Sequence, residues 1–454
     1  MYLSFDVSLT MCGLVLVIVI PLPIADYGAV SLFRSVPHSS GFRFHLSQPR
    51  SITSFDVAPN GKLYAAGHAD GSISVCPTLL EHPSASVVDQ EIPPPASPTS
   101  LSHRSSVGHP NTEYTSRPHL SMVLAVRFFP SSAVVLTSSL DHTLRIHDAL
   151  SPTLTTVRTF TGHTAAVTGV AVVDRGRNVL SASKDSTIRL WDVGGSKELT
   201  LRRWSTGAGA VAALCLDAGE GWTGYESSCR GEGNSQIPAA NGEVGTENKL
   251  VFVGLQDGRV EGYDLRSKRS AFSLSLKQSG QLSSSSAAID SIAFAPDSSM
   301  LATGARSGIV RWWDMRSCGR GEGPPLCEFR RNGAGIESIA WVPAGWSSSP
   351  QSIATPEEAG LEERERKLRA EDEVPVTLGG ESLARGLPHL VVGTEDGLPW
   401  RAGLTPDARV VVVEEYVGSE CGDGVREVRW CAGNEQGFGR GIWCAGDDGL
   451  VRVY

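Results

Sequence analysis

GHTAAVTGVAVVDRGRNVLSASKDSTIRLWD, residues 162–192, contains one whole structural repeat. Gly162 and His163 open it, and Val167 with Val170 to Val173 supplies a first apolar strand. Val179 to Ser183 reads as a second strand, Asp185 marks a turn, and Thr187 to Leu190 reads as a third strand closing on Trp191 and Asp192. Ile188 and Leu190 alternate with polar neighbours, the period of a strand and not of a helix.

His163 precedes Asp185 by 22 residues, and Asp185 precedes Trp191 by 6. Laid along the chain, the shorter interval recurs as Asp70 to Cys76, Asp141 to His147, Asp257 to Tyr263, Ser307 to Trp313, Asp396 to Ala402 and Asp448 to Tyr454, making seven units. The longer one recurs as His119 to Asp141 and, with the histidine replaced, as Gln48 to Asp70 and Ser285 to Ser307. Ile52, Val123, Val167 and Ile289 each stand four places after an opener.

A four-stranded antiparallel blade explains such spacing, because strand lengths and tight turns fix the separation of equivalent residues. Seven blades predict an all-β, seven-bladed β-propeller over residues 41–454, closed into a ring so that no sheet edge is left open. The chain ends on the third strand of its last unit. The missing outer strand is expected from the N-terminal side, where Phe42, Phe44 and Leu46 alternate.

These units resemble the WD40 family. In that family a His, a strand Ser or Thr, a Trp and the turn Asp form a hydrogen-bonded structural tetrad, and the resemblance implies those roles for His163, Ser181, Trp191 and Asp185. His119, Thr137 and Asp141 match three positions, with His147 where Trp is expected. The other blades keep mainly the turn and are expected to rely on apolar packing.

Three segments depart from the repeat. Residues 77–118, with eight prolines and many serines, read as a loop between the first two blades. Residues 218–248 read as a polar insertion in the fourth blade. Residues 345–388 form a charged insertion, in which Glu362 with Arg366, Glu363 with Lys367 and Glu365 with Arg369 have the spacing of a short solvated helix. Ahead of the propeller, residues 1–40 are apolar. Residues 7–25 are uncharged and long enough for a signal or membrane anchor, but two prolines and the absence of any Lys or Arg before Arg34 weaken that reading.

Composition narrows function. The hydrophobic fraction of 41% with 49 Gly and 26 Pro describes a turn-rich globular chain and excludes collagen, coiled coil and polytopic membrane classes. A formal charge of -9 disfavours nucleic acid and favours basic partner surfaces. Nine scattered cysteines without a CxxC pair read as reduced thiols, and no Asn-x-Ser/Thr acceptor occurs, so cytosol or nucleus is the expected compartment. No phosphate-loop, zinc-protease or nucleophile-elbow motif is present, and the glycines at 319, 321 and 323 read as a turn. A noncatalytic chain without cofactor or metal is expected, acting as a monomer through its rim.

The residues before each turn, Ala69, Leu140, Lys184, Gln256, Arg306, Glu395 and Asp447, should ring one face, with Asp290 and Glu337 near it. Asp290, Glu337, Glu395 and Asp447 then form an acidic partner-binding cluster on blades five to seven. More specific stretches are RFFP at 127–130, VVDRGRNVLSAS at 172–183, EVGTENKL at 243–250 and DGLVR at 448–452, which resemble the proteasomal ATPase-associated factor family. That resemblance implies a chaperone for assembly of the base of the proteasome 19S regulatory particle, bound to the C-terminal domain of one AAA+ ATPase subunit. The alternative is a WD40 substrate receptor of a ubiquitin ligase. The N-terminal 40 residues and the 345–388 insertion depart from that family's pattern.

Overall fold

A computed structural model describes residues 42–45, 50–78, 113–194, 200–205, 208–217, 244–247, 249–265, 269–274, 288–316, 325–344, 346, 386–416, 423–433 and 440–454. Over these residues 28 strands, β1 to β28 in chain order, form seven four-stranded antiparallel sheets arranged as a seven-bladed propeller. The ring lies within residues 36–454. The signal or anchor reading at 7–25 and the charged helix read in the 345–388 insertion lie outside the described residues.

The third blade shows the plan. β10 (Val167–Val173) pairs with β11 (Asn178–Ser183), β11 with β12 (Thr187–Asp192), and β12 with β13 (Thr200–Ser205). Every residue of β11 and β12 is buried, because both faces of a blade pack against its neighbours.

Closure uses the two ends of the propeller. The last blade orders β1 (Phe42–His45), β28 (Leu450–Val453), β27 (Gly441–Gly446) and β26 (Val425–Cys431), with Phe42 opposite Val453 and His45 opposite Leu450. The N-terminal strand therefore supplies the outer edge that the C-terminal unit lacks.

The repeated spacing has a local cause. In all seven hairpins the residues six before and six after the turn residue face each other, as Tyr64 and Cys76, Val179 and Trp191, or Ile442 and Tyr454 do. The turn aspartate accepts the backbone N–H two residues on in six of the seven, for example Thr187 N–H to Asp185 at 3.0 Å. The next residue has positive φ in every blade: Gly71, His142, Ser186, Gly258, Gly308, Gly397 and Gly449. At Gly71 a side chain would also meet the His119 carbonyl of the next blade, only 2.5 Å from where its Cβ would sit.

Seven apolar clusters among the described residues occupy the seven interfaces between consecutive blades. The interface of first and last blades holds Ile52, Phe55 and Tyr64 against Trp443 and Val451, with the Phe55 and Trp443 rings stacked at 6.1 Å. A small residue three places before each turn makes room for this approach. Beside Gly67 lies Val123 of the next blade, and Gly254, Gly304 and Gly393 stand likewise against Ile289, Ile336 and Val425.

One expectation is corrected here. Residues 77–118 are not wholly a loop, because β5 (Tyr114–Ser116) is the outer strand of the first blade and pairs with β4 (Ile73–Pro77). At three residues it is too short to announce itself by alternation.

Candidate functional site: buried tetrads and the channel mouth

In the third blade His163 Nδ1 lies 2.8 Å from Asp185, His163 Nε2 lies 2.7 Å from Ser181 Oγ, and Trp191 Nε1 lies 2.8 Å from the same hydroxyl. The indole N–H can only donate and the Asp185 carboxylate can only accept, so Ser181 Oγ accepts from Trp191 and gives its own proton to His163 Nε2. That leaves the imidazole proton on Nδ1, facing Asp185. Burial alone would raise the Asp185 carboxyl, but hydrogen bonds from Thr187, His163 and the Thr164 N–H hold it down to about 2.

A Ser, His and Asp in this order have the connectivity of a hydrolase triad, yet nucleophilic chemistry does not follow. Ser181 is wholly buried and His163 is buried with it. The hydroxyl is already bonded on both sides, so no substrate carbonyl can reach it. The chemistry available to this set is that of a register lock between the inner, second and third strands.

The second blade carries the same network with a different fourth member. His119 contacts Asp141 at 3.1 Å and Thr137 at 2.8 Å, while His147 Nε2 reaches Thr137 at 3.0 Å. Burial, followed by the nearby His119 and Arg145, pushes His147 down to about 3, so it is a neutral stand-in for the tryptophan N–H. The first blade keeps a buried His68 bonded to Ser74 at 3.1 Å, and Tyr416 bonds Glu414 at 3.0 Å in the sixth. These blades use polar locks of their own composition as well as apolar packing.

The inner strands surround a central channel with a cavity of about 410 Å³ to which all seven blades contribute. Ala69, Lys184, Arg306 and Asp447 line it, as do Asp290 and Glu337. Six of the seven turn-preceding residues make the same backbone bond, from their N–H to the carbonyl just before the inner strand, as Lys184 does to Ala166 at 3.0 Å. This shared bond sets the turns beside the starts of the inner strands, at one end of the channel.

The structure brings Asp290, Glu337 and Asp447 together at this mouth, with cations between them. Arg306 pairs with Asp290 at 3.1 Å, and Arg426 pairs with Glu337 at 3.1 Å and Asp447 at 2.7 Å. Glu395 is exposed on the sixth blade and does not line the cavity. Burial raises the carboxyls of Asp290 and Glu337 in spite of their arginines. Deeper in the channel, Arg127 and Arg429 meet Glu427, and Arg429 also meets Asp56 at 3.4 Å. The mouth is thus an alternating charge network and not a purely acidic patch. Arg306 was expected on this face but its pairing with Asp290 was not, and Arg426 was not foreseen, because the partners stand on other strands or other blades.

Among the described residues no three His, Cys, Asp or Glu side chains gather as a metal site, and no helix is long and apolar enough to cross a membrane.

Comparison with known proteins agrees with the propeller. Residues 111–148 and 154–192 match the WD domain, G-beta repeat model, and residues 203–357 match that of the Nucleolar protein 10-like, N-terminal domain. The 26S proteasome regulatory subunit RPN14 of Saccharomyces cerevisiae is 33% identical over 203 residues, which is 44% of this chain and 44% of that protein. WD repeat-containing protein 37 of Homo sapiens is 44% identical over 64 residues, 14% of this chain and 13% of the relative. Nuclear distribution protein PAC1-2 of Uncinocarpus reesii is 42% identical over 86 residues, 17% of this chain and 18% of the relative. The chain thus spans less than half the length of each of these relatives. It is a seven-bladed propeller carrying WD40 repeats, and it resembles the proteasome regulatory subunit RPN14.

Proposed function

We propose that this protein is a noncatalytic WD40 scaffold, a monomer of the cytosol or nucleus, that assists assembly of the base of the proteasome regulatory particle. In this reading it holds the C-terminal domain of one AAA+ ATPase subunit on the face that carries the turns. The similarity to RPN14 over 203 residues carries the proposal. The buried tetrads are consistent with it, since they stiffen blades without offering a reactive group.

Asp290, Glu337, Glu395 and Asp447 are the proposed contacts for a basic partner. Glu395 is the accessible one, whereas Asp447 is also tied to Arg426 and Ser51. Pull-down with separately expressed ATPase C-terminal domains tests the proposal. Selective, salt-sensitive recovery of one domain is expected, and Glu395→Lys should weaken it about 3- to 10-fold without lowering the melting temperature. Recovery of ubiquitin-ligase adaptors with none of the ATPase domains would replace the assembly role with that of a substrate receptor.

A further inference from the structure

Charges at the channel mouth follow an order. Beginning on the third blade and passing around the ring, they run Lys184, Asp290, Arg306, Glu337, Arg426, Asp447, and the series ends on Ser51 of the first blade, which bonds Asp447 at 2.8 Å. Each acid in the series has an arginine within ion-pair distance. Lys184, at the open end, is exposed and has no ion pair within 4 Å among the described residues, although its charge acts on Asp290. The Asp290 side chain is only 8% exposed and that of Arg306 is 64% exposed. What faces solvent at this end is therefore cationic, with its counter-charge recessed beneath it.

The second blade, next to Lys184, is apolar at the same level. Leu120 is 86% and Leu140 45% exposed, and Met122 and Leu124 line the cavity. Leu140 holds the turn position equivalent to Lys184, and its N–H bonds the Met122 carbonyl at 2.9 Å. A large apolar side chain left this open beside a channel is a feature of contact surfaces.

We infer that the sector formed by Lys184, Arg306, Leu120, Leu140 and Met122 is a docking site for a partner segment that presents a carboxylate beside a large apolar side chain. Lys184 and Arg306 donate N–H bonds to the carboxylate, and the leucines and methionine cover the apolar group. This goes beyond the proposed function: it lies on blades two to five, selects the opposite charge from the Glu395 side, and holds whichever protein supplies the segment.

The probe is a random dodecapeptide library displayed on its encoding messenger RNA and selected on the full chain. Peptides with Asp or Glu within three positions of Leu, Ile, Met or Phe are expected to enrich about tenfold, as one charge-assisted contact worth a decade in affinity would give. Lys184→Glu and Leu140→Ser should each abolish the enrichment, and Lys184→Arg should keep it. Lys184→Gln serves as second variant if Lys184→Glu lowers the melting temperature. Enrichment of basic peptides, of acidic peptides unaffected by Leu140→Ser, or of none would overturn the inference. No ATPase domain enters this experiment, so its failure leaves the assembly proposal standing, and the reverse.

Discussion

Ser51 in the first blade hydrogen-bonds Asp447 in the last at 2.8 Å, across 396 residues of sequence. Beside it Ser54 bonds Glu427, again joining first and last blades. The two ends of the propeller are held by side chains at the mouth, by a stacked aromatic core between blades, and by backbone pairing at the outer edge.

Removing the closing strand should loosen the whole ring. Deletion of residues 41–48 exposes the edge of β28, and for a cooperative domain the melting temperature is expected to fall by about 5 °C or more. Scanning fluorimetry on the truncated chain checks this, and an unchanged midpoint would show that β1 is dispensable.

Ser181→Ala leaves two buried groups, His163 Nε2 and Trp191 Nε1, without their shared partner. Each orphaned group costs roughly 1–3 kcal/mol, so destabilisation of about 2–4 kcal/mol is expected from urea titration. A loss below about 1 kcal/mol would mean that water or another group replaces the hydroxyl.

Gly71→Ala meets two penalties together: φ is +86°, and the new methyl would press on the His119 carbonyl of the next blade. Destabilisation of about 2–3 kcal/mol is expected. The exposed His142, at the equivalent turn of the second blade with φ 68°, gives the opposite case. His142→Gly should be neutral or stabilise by up to about 1 kcal/mol, measured by the same titration.

Acid sensitivity should begin near neutrality. His147 titrates near 3 in the folded ring, chiefly because burial disfavours its charged form, against about 6.5 unfolded. Above the unfolded value both states are neutral and pH has no effect through this group. As pH falls from about 6.5 towards 3 the unfolded chain takes up the proton first, and stability drops by about 1.4 kcal/mol per pH unit from this residue. Asp141 and Asp185, held near 2, add a further loss from about pH 4 downward. His147→Trp, which copies the third blade, should flatten the decline between pH 6 and 4. An unchanged slope would assign the titration to other groups.

The hairpin bends could be read in the sequence because their chemistry is local: an aspartate caps its own turn and the next residue is left-handed. Ring closure could be read because an incomplete last blade needs an edge. The polar lock on His68 was missed, since this histidine sits on the second strand and not at the opener position. The small residues before each turn were a readable signal, with Gly67, Gly254, Gly304 and Gly393 at one offset, but their meaning lies in the neighbouring blade. The mouth was only half legible. Acids at repeat positions were visible, whereas Arg426 meets Glu337 only after the sixth and seventh blades pack side by side.

The left-handed bends limit what the propeller tolerates. One extra amino acid between Asp70 and Gly71 would rotate a whole strand out of register with its neighbours, because each bend seats a single left-handed residue directly after its aspartate or serine. The wheel keeps its gearing only while every bend keeps its count.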